Sequence, residues 1–183
     1  ILADREDMAG AERHYREALR CDANNAGAHF NLGITLDVRK DMTGAERHYR
    51  EALRCDANQA NAHIHLGLIL EERKDMTGAE RHYREALRCD ANHANAHFNL
   101  GVTHGERKDM TGAERHYREA LRCDANHARA HVNLGVLLQN RNDYAGAGHA
   151  YREAIRCAAD LVNAHSSSRH LYHEYDVDGL PAS

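Results

Sequence analysis

The sequence predicts an all-α solenoid built from antiparallel helix pairs, and three observations carry that prediction. The five cysteines, Cys21, Cys55, Cys89, Cys123 and Cys157, stand 34 residues apart. The segment RKDMTGAERHYREALRCDAN recurs without change at 39–58, 73–92 and 107–126. One proline in 183 residues, Pro181, leaves the periodic part free of helix breakers. A fixed period of this length marks a repeat array, in which each unit is one supersecondary element that cannot bury its apolar faces alone.

The period divides the chain into a partial repeat at 1–25 and full repeats at 26–59, 60–93, 94–127 and 128–161. A degenerate capping helix at 162–175 and a tail at 176–183 follow. Each repeat holds two helices. The first, near Ala28–Arg39, places Ala28, Leu32 and Leu36 on one face with Gly33 beside them. The second, near Thr43–Cys55, is amphipathic. Ala45, Tyr49, Ala52 and Leu53 share one face, and Glu46, Arg47, Arg50, Glu51 and Arg54 the other. Thr43 with Glu46 fits a capping box, and Asp41 is a competing N-cap. Glu46/Arg50 and Arg47/Glu51 are spaced as i,i+4 ion pairs. Both connections are short, so neighbouring helices run antiparallel. Gly33, Ala45 and Ala52 leave room for close approach, and Tyr49 and Leu32 fill the space around them.

The recurring set Leu32-Gly33, Ala45, Tyr49 and Ala52-Leu53 resembles the tetratricopeptide repeat family. It returns as Leu66-Gly67, Ala79, Tyr83, Ala86-Leu87, as Leu100-Gly101, Ala113, Tyr117, Ala120-Leu121, and as Leu134-Gly135, Ala147, Tyr151, Ala154-Ile155. The resemblance covers about residues 1–161. It implies a right-handed superhelix whose concave groove binds protein, and no catalysis. The chain departs from the family pattern in places. His29, His63, His97 and His131 stand where a large aromatic is common, and Ala57, Ala91 and Ala125 where proline is common. His104 replaces the leucine seen at 36, 70 and 138, and Ser166-Ser167-Ser168-Arg169 replaces the apolar Leu-Gly stretch.

In this family the first helix of each pair lines the groove. The resemblance therefore assigns the groove to Phe30, Asn31, Ile34 and Asp37, then Asn61, Ile64, His65, Leu68, Glu71 and Glu72. Asn95, Phe98, Asn99, Val102 and Glu106 follow, with Arg129, Val132, Asn133, Val136 and Gln139 in the fourth repeat. Asn31, Asn99 and Asn133 form a row interrupted by His65. An asparagine amide both donates and accepts, so such a row suits a peptide backbone. It is similar to the asparagine ladder of the O-linked N-acetylglucosamine transferase family. The aliphatic floor beside Asp37, Glu71, Glu72 and Glu106 fits a partner with apolar anchors and nearby Lys or Arg. The Lys/Asn/Arg clamp with which other members hold a C-terminal carboxylate is not visible.

Charge and chemistry narrow the function further. A net charge of −4 disfavours nucleic acid as a partner. No apolar run approaches the ~18 residues of a membrane span. Cysteines one repeat apart, about 10 Å or more given helix spacings of ~8–10 Å, are too far for a disulfide. They are expected to be reduced, half-buried packing residues, which fits a reducing, cytoplasmic compartment. The histidine rows are equally too far apart to share one metal, so no metal or cofactor is expected. The first-helix histidines are expected to pack between helices. If neutral there, their contribution is present above the ordinary value of about 6.5 and lost as pH falls. No phosphate loop, nucleophile elbow or isolated carboxylate pair occurs. The expected function is a scaffold that holds an extended peptide or helix of another protein. The alternatives are a structural subunit that docks in an assembly or self-associates, and the substrate-selecting arm of a larger enzyme. The opening residue, Ile1 rather than Met, fits a piece of a longer polypeptide.

Overall fold

A computed structural model describes the backbone of residues 2–174 and the side chains of residues 8–159. Among the described residues all regular structure is helical. The order is α1 (Leu2–Cys21), α2 (Ala26–Val38), α3 (Met42–Cys55), α4 (Ala60–Glu72), α5 (Met76–Cys89), α6 (Ala94–Glu106), α7 (Met110–Cys123), α8 (Ala128–Asn140) and α9 (Tyr144–Glu174). Packing is between chain neighbours, closest within the pairs α2–α3, α4–α5, α6–α7 and α8–α9. That is the one-dimensional layout of a solenoid.

Local chemistry sets the helix boundaries. Asp41, Asp75 and Asp109 cap α3, α5 and α7, each accepting from the backbone N–H of Gly44, Gly78 or Gly112 at 2.9 Å. The aspartate thus wins over the threonine capping box. Asn25, His93 and His127 cap the first helices by accepting from Ala28, Ala96 and Ala130. Lys40, Lys74, Lys108 and Asn142 turn the chain inside each repeat at φ 63–65°. Between repeats, Asp22, Asp56, Asp90 and Asp124 accept from the N–H two residues on. In the last copy Ala158 stands where that aspartate would be, and α9 runs on without a break. The chain boundary expected at 161/162 is therefore not a helix boundary. The expected tail at 176–183 lies outside the described residues.

The core is a stack of equivalent layers. Tyr49, Tyr83 and Tyr117 are buried, together with the alanines of the second helices and Leu32, Leu66 and Leu100. Each tyrosine ring lies against a first-helix glycine: a Cβ on Gly33, Gly67 or Gly101 would meet it at 2.6, 2.3 or 2.5 Å. The glycine thus makes room for tyrosine rather than for another backbone. The acid at 46, 80 and 114, placed on the outer face by the sequence pattern, is buried instead. Glu46 holds Arg50 at 2.5 Å and reaches Arg73 of the next repeat at 2.7 Å. Glu12, Glu80 and Glu114 clamp Arg39, Arg107 and Arg141 in the same way. Glu51 pairs with Arg54, not with Arg47.

Candidate functional site

The first helices carry one exposed or half-exposed aliphatic residue per repeat at equivalent positions: Ile34, Leu68, Val102 and Val136. Leu68 is 39% and Val136 45% exposed, and Val132 lies beside the latter at 43%. Acids border the row at the C-terminal ends of these helices. Glu72 and Glu106 are exposed, Asp37 and Glu71 half-buried. A recess of about 360 Å³ joins Asp37 of α2, Leu68, Glu71 and Glu72 of α4, and Glu106 of α6. Met42, Ile69, Lys74 and Met76 complete its lining. The first helices of three consecutive repeats thus share one surface.

Not every expected groove residue lies on it. Ile64 and Phe98 are buried in the core clusters and Asn99 is 7% exposed. Phe98 is covered by the His127 ring, 4.9 Å between centroids, and by the Arg129 guanidinium 4.6 Å above it. Phe30 packs on Tyr49 and on His65. The asparagine row is not an open ladder. Asn31 is exposed, whereas the Asn133 amide donates to the Tyr117 hydroxyl at 3.2 Å. Asn61 and Asn95 accept from the rings of His93 and His127 at 2.9 and 3.0 Å, joining each first helix to the N-cap of the next first helix.

Two of the acids also face buried tyrosines. Tyr83 donates to Glu71 at 2.6 Å. Burial first, and the nearby Asp37 carboxylate second, push the Tyr49 phenol well up. His65 stacks on Tyr49, with Nδ1 3.6 Å from Asp37. Burial lowers its pKa more than Asp37 raises it.

The cysteines are free, grading from exposed Cys21 through half-buried Cys55, Cys89 and Cys123 to buried Cys157. The described helices include none long and apolar enough to cross a membrane. The sequence reading missed a contact between histidines 19 residues apart. His29 meets His48, His63 meets His82 and His97 meets His116, Nδ1 to Nδ1 at 3.0, 3.0 and 3.3 Å. Its signal is the pairing of His at the fourth position of one helix with His at the seventh of the next, in three copies.

Family models of the tetratricopeptide repeat match residues 1–60, 56–94 and 81–128, and a second such model matches 116–149. The chain belongs to the tetratricopeptide repeat family. No curated protein sequence matches it. Among solved structures it is similar to PilF of Pseudomonas aeruginosa, with a TM-score of 0.75 and 22% identity over 96% of this chain and 88% of that one. It is also similar to MamA, at 0.70 and 19% over 88% and 94%. A third is YrrB, described as a tetratricopeptide repeat protein with an unusual peptide-binding site, at 0.62 and 21% over 92% and 87%. At these identities the likeness concerns the fold.

Proposed function

We propose that this tetratricopeptide array is a protein-interaction scaffold. Its first-helix wall holds a partner segment, extended or helical, that carries apolar anchors and basic residues. The observation that carries this reading is the aliphatic row at 34, 68, 102 and 136, exposed at Leu68 and Val136 and half-exposed at Ile34 and Val102, on a wall bordered by four acids. Three features support it. Solvent-exposed aliphatics in register gain about 25 cal/mol per Å² when covered. Acids beside them, with Glu72 and Glu106 exposed, favour cations and steer their approach. A repeat protein described by its peptide-binding site shares this fold. Recognition through an asparagine ladder of the glycosyltransferase kind has one exposed rung here, Asn31. The aliphatic row is the stronger determinant.

A random peptide library displayed against the purified chain tests the proposal. Retained sequences should combine Leu, Ile or Val with Lys or Arg, and retention should drop for Leu68→Asp with Val136→Asp. Enrichment of acidic peptides, or equal retention by the variant, would overturn it.

A further inference from the structure

We propose that each histidine pair, His29 with His48, His63 with His82 and His97 with His116, is a binding site for a borderline divalent transition ion of the zinc class. Bound there, the ion ties the two helices of one repeat together. The site is separate from the groove wall and does not depend on what that wall binds.

The geometry starts with the two ring nitrogens. Two nitrogens bound tetrahedrally at about 2.0–2.1 Å from one zinc stand roughly 3.3 Å apart. The facing Nδ1 atoms stand 3.0, 3.0 and 3.3 Å apart. In two of the three pairs the first-helix ring is already oriented for this. His29 Nε2–H donates to the Ala23 carbonyl at 3.2 Å and His97 Nε2–H to the Ala91 carbonyl at 3.3 Å. That leaves Nδ1 as the lone-pair nitrogen, and a backbone carbonyl on the far ring nitrogen is the common outer partner of metal-ligating histidine. Without metal, the second-helix Nδ1–H must then donate to it. Metal binding moves that proton to the same ring's Nε2. The ring stays neutral and two lone pairs face the ion, with no proton released.

The rings are available as neutral ligands. Burial lowers His48, His63 and His97, and takes His82 and His116 down to about 4. A carboxylate stands one turn beyond each second-helix histidine, at Glu51, Glu85 and Glu119. Each now holds an arginine, at 2.8–2.9 Å. These partly exposed ion pairs are weak enough to exchange for a metal ligand. Among the described residues no three metal-ligating side chains already converge. Each site is therefore a preformed imidazole pair with open positions for the carboxylate and water. The fourth repeat supplies a built-in contrast: Ala150 replaces the second-helix histidine, and among the described residues His131 bonds the Ala125 carbonyl with no facing imidazole.

Isothermal titration of the whole chain with zinc chloride, and long-range proton–nitrogen NMR of its histidines, test the proposal. The expected result is three zinc ions per chain at micromolar affinity. The six paired imidazoles should become Nδ1-metallated, and His131 should be unchanged. His48→Gln, His82→Gln and His116→Gln, each checked for native helicity by circular dichroism, should each remove one equivalent. His93→Asn and His127→Asn should remove none. The NMR arm needs no variant, so a poorly folding substitution does not shelter the proposal. Zinc held on cysteine thiolates, zinc shifts spread over exposed histidines, or no binding at 100-fold the protein concentration would each overturn it.

Discussion

Substituting Gly67 by alanine probes the layer packing directly. An added Cβ would lie 2.3 Å from Cε1, 2.8 Å from Cδ1 and 2.9 Å from Cζ of Tyr83. Carbon atoms in contact prefer about 3.5–4.0 Å, so ring or helix must retreat by more than an ångström. The ring cannot move freely, because it is fully buried and its hydroxyl is held by Glu71 at 2.6 Å. Overpacking costs about 1–3 kcal/mol, and a strained hydrogen bond to a carboxylate about 1.5–3. Alanine returns about 1 kcal/mol of helix propensity. The net expectation is a loss of about 2–4 kcal/mol, read as a lower urea midpoint by circular dichroism. Gly10→Ala is the control, since nothing lies within 4 Å of a Cβ there. It should be neutral or stabilising by up to about 1 kcal/mol. Combining Gly67→Ala with Tyr83→Leu should cost less than the sum of the two. If Gly67→Ala melts with the parent protein, the close glycine–tyrosine contact is not what holds the layers.

Three further expectations follow from the same packing. Glu80→Ala releases Arg84 and Arg107 together and should cost about 1–2 kcal/mol, whereas Glu85→Ala, which frees only exposed Arg88, should cost under 1; paired urea titrations compare them. Lys74→Gly removes a side chain from φ 64° and should raise the melting temperature, by about 1 kcal/mol of stability; an unchanged or lower value contradicts the strain. His127 must be neutral to accept from Ala130 N–H while donating to Asn95, and burial lowers its pKa. Its contribution is present above the unfolded value of about 6.5 and lost as pH falls through the lower folded one. His127→Asn, which keeps the cap, should therefore flatten the fall in melting temperature between pH 7 and 5.

The fold was legible because the repeat writes every layer several times. Tyr49, Tyr83 and Tyr117, with their alanines and glycines, recur at one period, and that spacing alone implies stacked helix pairs. Burial within a row was not legible. Phe98 and Val132 occupy equivalent positions, yet Phe98 is 2% exposed because His127 and Arg129, at the start of α8, cover it, while Val132 is open. The same holds for Glu46, whose helical phase puts it outside until Arg73 of the following repeat folds over it. The histidine pairs were hidden for a related reason. Their contact crosses between helices, and its distance depends on how the two are rotated against each other. Along the expected asparagine row Asn31 is exposed, Asn99 is buried and the Asn133 amide donates to the Tyr117 hydroxyl, differences that helical periodicity does not carry.

The measurement closest to the central claim is the dissociation constant of one library-selected apolar, basic peptide, read by fluorescence anisotropy. Leu68→Asp with Val136→Asp should weaken it at least tenfold, and Glu72→Lys with Glu106→Lys should weaken it most at low salt. Arg47→Ala with Arg81→Ala, on the second helices, should leave it unchanged. Equal affinity for the wall variants, or loss confined to the second-helix pair, would place the binding surface elsewhere.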